Sequence, residues 1–276
     1  MRCWIDGVEA PEPALTVADG AVLRGDGCFE AIRSYSGVAF AVDAHVARLH
    51  RSAAALDLRP PDGVADWVRT AAAAGGDGIV RVVVTRGSDV PGRSDPSRCL
   101  ILHHPVPESP PEVRLFPVPA PWHPAGRPWA LAGAKTISYA PNMSARREAL
   151  AAGFDDALLV ADNGTLLEGP TFSVAWVCDG VVETPGLDLH VLDSITRRVV
   201  LELAAGLGIT TVEGRFGPDR LEAADEVLCL STVKEVAPVV AVGARTWPVG
   251  PVTASLREAF DARVAQETSE QGGEVT

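Results

Sequence analysis

Along the chain the apolar positions change their spacing several times, and each change predicts a new element. "CFEAIRSYSGVAFAV" reads as a strand, a turn at Ser36-Gly37 and a second strand. "DAHVARLHRSAAALDL" then takes helical spacing, with Val46, Leu49, Ala53 and Leu56 on one face and Asp43 as the N-cap. "PDGVADWVRTAAAAGG" predicts a second helix that stops at paired glycines. The runs "GIVRVVVTRG" and "CLILHHPV" are aliphatic, rich in β-branched residues and bounded by turn residues, and predict neighbouring buried strands.

Prolines crowd residues 105–129, which excludes a helix there and predicts extended connecting chain at a domain boundary. Beyond it the pattern predicts a helix at "NMSARREALAAG" and a hairpin turning at Asn163-Gly164. A strand pair turning at Asp179-Gly180 follows, then a helix opening on Ser194 and closing at Gly208. "DEVLCLSTV" is a strand running into a polar turn, "PVTASLREAFDARVAQ" a last helix, and the tail "ETSEQGGEVT" is expected to fray.

Composition narrows the function classes. The 276 residues are 47% hydrophobic and 22% charged, the balance of a soluble globular protein. No apolar run approaches the ~20 residues that span a bilayer, so no membrane segment is expected. The opening "MRCWIDGVEAPEP" has no apolar core after its basic residue; a secretory signal is not expected and a cytoplasmic location is. The five cysteines are scattered without a C-x-x-C pair, against both a disulfide framework and structural zinc, and read as small buried apolar residues. A formal charge of −12 disfavours nucleic acid and anionic lipid as partners. It leaves open an anionic small molecule held where arginines and backbone amides gather.

Several stretches carry candidate chemistry. Lys135 in "LAGAKTISYAPN" is one cation among small and apolar neighbours, with Tyr139 four positions on. "DSITRRVV" brings Ser194, Ile195 and Thr196 to a helix start, either an anion site or an ordinary cap. Ser231 and Thr232 in "LSTVKEV" could add phosphate contacts or only form a turn. Arg48 sits in a helix beside apolar positions, and Glu168 in "LLEGPT" ends a hydrophobic run. Snorkelling and an exposed hairpin acid are the plainer alternatives for these two. Arg24 in "VLRGDG" is a lone cation before a glycine turn, by itself a surface charge. His103 and His104 are adjacent on a strand and point to opposite faces, poor joint metal ligands, so no metal is expected. Neither a glycine-rich phosphate loop nor a G-x-S-x-G elbow is present.

Taken in order, "RGDGCFEAIRSYSG", "HVARLHRSAAAL", "KTISYAPN", "DDALLVADNGTLLEGPT", "VLDSITRRVVLELA" and "STVKEVAPV" resemble the class IV, fold-type IV pyridoxal-phosphate (PLP) enzymes along nearly the whole chain. These include D-amino acid transaminases, branched-chain aminotransferases and aminodeoxychorismate lyases. The resemblance implies pyridoxal 5'-phosphate as cofactor and Lys135 as the residue that forms the Schiff base with it. Lost solvation among apolar neighbours would make that amine a better nucleophile. It further implies Glu168 as the partner of the pyridine nitrogen, Tyr139 near the phenolic oxygen and Leu192 on the ring face. Arg48, Ile195, Thr196 and Thr232 match the phosphate-cup positions, with Ser194 and Ser231 as further cofactor-binding residues.

The match departs in three places. Ser194 replaces the usual glycine, Phe172 and Ser173 stand where relatives carry Ser-Asn, and the R-x-H carboxylate trap of bacillary-type D-amino acid transaminases is missing after "TRG". Arg24 and Lys234 are the expected substitutes, with Arg86 as a further substrate-binding cation and Arg81 and Arg93 as competitors. With only Tyr35 and Tyr139 in the chain, the tyrosine-rich pocket of branched-chain aminotransferases cannot be built in the usual way. The expected reaction is therefore transamination between a D-amino acid, with (R)-amines as further donors, and a 2-oxo acid. Release of pyruvate from 4-amino-4-deoxychorismate is the first alternative and branched-chain transamination the second. The implied architecture is α/β (α+β): a small N-terminal α/β domain over 1–118, a linker over 119–130 and a larger pseudo-barrel domain over 131–276, working as a homodimer.

Overall fold

The structure, a computed structural model, describes residues 1–88 and 90–272. It divides into two compact units. The first holds Met1–Pro107, Ala134–Tyr139 and the chain from Val264 on; the second holds Glu108–Gly133 and Ala140–Arg263. This division differs from the expected 1–118, 119–130 and 131–276. The strand at Val113–Pro119 pairs with partners in the second unit, and 134–139 is hydrogen-bonded to the first.

In the first unit, β1 (Arg2–Ile5), β2 (Val8–Ala10), β3 (Gly27–Tyr35), β4 (Val38–Ala39), β5 (Gly78–Thr85) and β6 (Cys99–His104) form one sheet in the order β2-β1-β6-β5-β3-β4. Every pairing in it is antiparallel. The short helix α1 (Gly20–Arg24) precedes β3, while α2 (Val42–Ala55) and α3 (Val64–Gly75) connect the hairpin to β5. Leu49, Ala53, Val64, Val68, Ala71 and Ala72 pack with Ile32, Val80, Val82 and Val84 in one core.

The pattern placed α2 and its apolar face, with Leu49 and Ala53 fully buried and Val46 and Leu56 packed against the same core, but not the polar residues buried beside them. Val46 and Leu56 are only partly buried, whereas His45, Arg48 and Ser52 are inside. The helix begins from Ala41 in left-handed backbone, so Asp43 lies in the first turn and pairs with Arg69 at 2.8 Å instead of capping. The five cysteines are all free and buried.

In the second unit, β7 (Val113–Pro119), β8 (Asp156–Val160), β9 (Ser173–Cys178), β10 (Val181–Pro185), β11 (Thr211–Gly214), β12 (Glu226–Ser231) and β13 (Glu235–Val242) run in the order β11-β10-β9-β12-β13-β7-β8, with β14 (Arg245–Thr246) on β13. The sheet is mixed: β10–β11, β13–β7 and β7–β8 are parallel and the rest antiparallel. The expected turns at Asn163-Gly164 and Asp179-Gly180 are present, with Gly164, Asp179 and Gly180 in left-handed backbone. Past β8 the hairpin limb donates Leu166 N–H to Phe216 O at 2.9 Å, just after β11. The two ends of the strand order therefore meet, and the sheet curls into a barrel-like form.

Helices α4 (Ala140–Ala151), α5 (Ile195–Gly206) and α6 (Pro218–Glu222) belong to this unit, and α7 (Pro251–Gly272) extends further than its pattern indicated. In the stretch expected to fray, Thr268 and Ser269 hydroxyls donate to carbonyls one turn back. Residues 273–276 of that expected tail lie outside the described residues.

Candidate active site

The first unit positions Lys135 through the backbone. Phe29 N–H donates to Lys135 O at 3.0 Å and Ile137 N–H to Gly27 O at 2.9 Å, so the segment lies along the start of β3. Lys135 N–H donates to Ser52 Oγ on α2 at 3.0 Å. Lys135 is 9% exposed, with Nζ 3.4 Å from Tyr139 OH and 4.4 Å from the Phe29 ring centroid. Phe29 and Tyr139 meet edge to face at 5.2 Å. The amine is thus walled by two aromatic rings, an arrangement that favours a cation on their faces and limits its hydration.

Arg48, one turn before Ser52, is held in a buried polar cluster that sequence reasoning missed. Its Nε and Nη2 donate to Glu30 Oε1 and Oε2, both at 2.7 Å, and His45 Nδ1 lies 2.8 Å from Glu30 Oε2. Burial alone would raise the Glu30 carboxyl, but the charge and hydrogen bonds of Arg48 prevail and hold it at about 2. Burial pushes His45 below its ordinary 6.5 against the pull of Glu30. A signal for this cluster was available: Cys28, Glu30 and Ile32 alternate inward on β3, and an acid in an inward register needs a partner.

Arg24 ends α1, exposed, just before Gly25, whose carbonyl accepts from Ser138 Oγ at 2.8 Å. Arg86 is engaged as a clamp: it forms a two-point pair with Asp26 at 3.0 Å and donates to the carbonyls of Leu56 and Asp57.

The second unit gathers most of the remaining candidates. Glu168 follows β8 on the hairpin limb, where Leu159 N–H donates to its carbonyl at 2.9 Å. Its Oε2 accepts Leu192 N–H at 3.1 Å, and His123 Nε2 approaches Oε1 at 3.6 Å. Two residues beyond Leu192, Ser194 caps α5 by accepting Arg197 N–H at 3.2 Å, with Ile195 and Thr196 buried in the first turn. By helix geometry the N–H groups of that turn have no partner inside the helix, which suits an anion. Gly169 permits the turn after Glu168, since a Cβ there would lie 2.1 Å from the Phe172 ring. That ring carries Lys234 Nζ at 4.9 Å.

Lys234 also donates to Asp156 Oδ2 at 3.1 Å, a carboxylate only 1% exposed, and its own N–H is held by Ser231 Oγ at 3.0 Å. Sequence reasoning missed both Asp156 and His123. Neither had a signal beyond being a polar residue at the border of an apolar stretch. The Ser173 hydroxyl is buried with no hydrogen-bond partner among the described residues.

Taken within each unit, these groups match parts of pyridoxal phosphate: in the first a shielded primary amine suits the aldehyde, and in the second a carboxylate suits the ring nitrogen and a capped helix start with hydroxyls suits the phosphate. Comparison with known proteins agrees. The family described as amino-transferase class IV matches residues 27–242. A Methanocaldococcus jannaschii protein, provisionally named a branched-chain-amino-acid aminotransferase, is 32% identical over 94% of this chain and 95% of its own. A bifunctional aminodeoxychorismate lyase / D-amino acid transaminase of Mycobacterium tuberculosis is 29% identical over 97% of this chain and 100% of its own. The PLP-bound structure of a hypothetical aminotransferase from Mycobacterium tuberculosis superposes with a TM-score of 0.86 at 27% identity, covering 97% of this chain and 100% of that one. The chain belongs to the class IV aminotransferases, the fold-type IV enzymes that work with pyridoxal 5'-phosphate.

Proposed function

We propose that the enzyme transfers the amino group of a D-amino acid, with (R)-amines as further donors, to a 2-oxo acid. The observation that carries this reading is the position of the tyrosines. Lys135 lies beside Phe29 at one end of β3, and Tyr35 is at the other end, ~20 Å away at ~3.3 Å per residue. Tyr139 is then the only tyrosine of this chain beside the lysine, which argues against a tyrosine-lined branched-chain pocket.

Once bound, pyridoxal phosphate supplies the electron sink for breaking a bond at the substrate α-carbon. Lys135 Nζ would hold the cofactor at its aldehyde carbon and, once the substrate amine takes its place there and frees it, would move the α-proton, with Tyr139 OH as its hydrogen-bond partner. Glu168 would pair with the ring nitrogen and Leu192 would lie against the ring. Arg48, Ser194, Ile195, Thr196, Ser231 and Thr232 would hold the phosphate. Arg24 and Lys234 bind the substrate carboxylate; Arg86, given its clamp on Asp26 and two carbonyls, stiffens the surrounding chain and acts on substrate only in support. The enzyme works as a homodimer, and its five free cysteines suit the cytoplasm's reducing conditions.

A second reading, 4-amino-4-deoxychorismate lyase, is favoured by the two activities in the name of the Mycobacterium tuberculosis relative. The test is product analysis with three substrates. D-alanine plus 2-oxoglutarate should give pyruvate, whereas L-leucine should give no 4-methyl-2-oxopentanoate. Pyruvate from 4-amino-4-deoxychorismate without an acceptor would establish the lyase instead, and turnover of L-leucine alone the branched-chain activity. In the same assay Arg24→Ala and Lys234→Ala should raise KM for donor and acceptor without weakening PLP binding; unchanged kinetics in both would remove them from the substrate site.

A further inference from the structure

His123 has no part in the roles assigned so far, yet the chain around it is built to hold it still. Its own N–H donates to Ala120 O at 3.0 Å, Gly126 N–H donates to Leu189 O at 3.0 Å, and Arg215 reaches Ala125 O at 3.4 Å. Ala125 and Gly126 both take left-handed backbone, at φ of 49° and 88°, which folds the loop back toward the ring. Ala125 N–H then donates to His123 Nδ1 at 3.1 Å. A nitrogen that accepts a backbone N–H offers its lone pair, so the ring proton resides on the other nitrogen, Nε2. That N–H lies 3.6 Å from Glu168 Oε1, just beyond hydrogen-bond length, while Leu192 N–H holds Oε2 at 3.1 Å. The imidazole is 9% exposed and the carboxylate 14%, so neither is well screened by water.

We propose that His123 is a positioning residue: its Nε2–H, with Leu192 N–H, fixes the plane of the Glu168 carboxylate so that it faces the ring nitrogen of the cofactor. This rests on the reading of Glu168 as the partner of that nitrogen. A carboxylate hydrogen-bonded at Oε2 and faced at Oε1 by an N–H donor at 3.6 Å is restrained about its terminal torsion, as metal ligands are by outer partners that contribute about 10–100-fold to affinity or activity. The tautomer is set by a backbone amide, so the direction of the donor does not depend on the cofactor.

The test uses the apo-protein reconstituted with PLP, with cofactor affinity read from quenching of tryptophan fluorescence and kcat and KM measured beside it. His123→Asn keeps an acceptor for Ala125 N–H but withdraws the far donor, whereas the amide nitrogen of His123→Gln stands close to the place of Nε2. His123→Asn should weaken PLP binding about tenfold and lower kcat with little change in KM, the lower end of what an outer orienting partner contributes. His123→Gln should recover most of both, and adding His123→Asn to Glu168→Gln should change affinity by less than about twofold if the two residues act as one unit. Wild-type affinity in His123→Asn, or a His123→Gln as weak as the asparagine variant, overturns the proposal. The Glu168→Gln single variant separates the causes. If it binds PLP weakly while His123→Asn does not, only the histidine's role falls; if it binds and turns over like wild type, the reading of Glu168 falls and the role of His123 with it.

Discussion

Replacing Glu30 by glutamine preserves shape and removes one charge from the buried cluster of the first unit. Glu30 is 0% exposed and Arg48 5%, and their two hydrogen bonds are both 2.7 Å. In the folded chain the carboxyl is held at about 2 against an ordinary 4.5, burial being outweighed by Arg48. That gap, 4.5 − 2, at about 1.36 kcal/mol for each pH unit, corresponds to about 3 kcal/mol of folding stability. The general cost of stranding one member of a buried ion pair, about 3–5 kcal/mol, agrees with it. The assay is urea unfolding of the apo-protein near neutral pH, followed by tryptophan fluorescence, since Trp4 and Trp67 pack in this core. Glu30→Gln should lose about 3 kcal/mol. Adding Arg48→Met should restore at least half of it, because an apolar side chain needs no counter-charge. The folded value lies below the unfolded one, so the contribution is complete above pH 4.5 and is lost as pH falls toward 2; the difference between wild type and Glu30→Gln should narrow over that window. A loss under about 1 kcal/mol, or a double variant weaker than the single one, would refute the assignment of Glu30 as the counter-charge of Arg48.

Further outcomes follow from the helix cap at Ser194 and from the burial of His45. Ser194→Ala removes the cap on Arg197 N–H and should cost about 1 kcal/mol, with a melting temperature roughly 2–4 °C lower, while Ser194→Asn should keep most of it. PLP affinity should fall in the alanine variant, and an unchanged affinity would place the cofactor phosphate away from this helix start. Burial lowers the His45 titration below 6.5, so the unfolded ring takes up a proton first and stability is lost as pH falls below that value. Melting temperatures recorded from neutral pH down to about 5 should therefore drop more steeply for wild type than for His45→Gln; parallel curves would contradict a neutral buried His45.

Local pattern alone determined much of this protein. The helix from Ile195 with its Ser194 cap, the turns at Asn163-Gly164 and Asp179-Gly180, the buried strands and the buried cysteines were legible because each depends on groups a few residues apart. The ordered motif blocks placed Lys135 and Glu168 on the page before any coordinates. What the tertiary structure decided was partnership. Arg48 is paired with Glu30 eighteen residues away, Glu168 accepts the amide of Leu192 24 residues on, and Lys234 is compensated by Asp156 across 78 residues. The same distances explain the buried polar residues of α2: His45, Arg48 and Ser52 look like outward polar positions until Glu30 and the Lys135 N–H supply their partners. Hydrophobic periodicity registers which side of an element avoids water, but a buried polar group is stable only when its complement arrives from another element, and that meeting is a property of the folded chain.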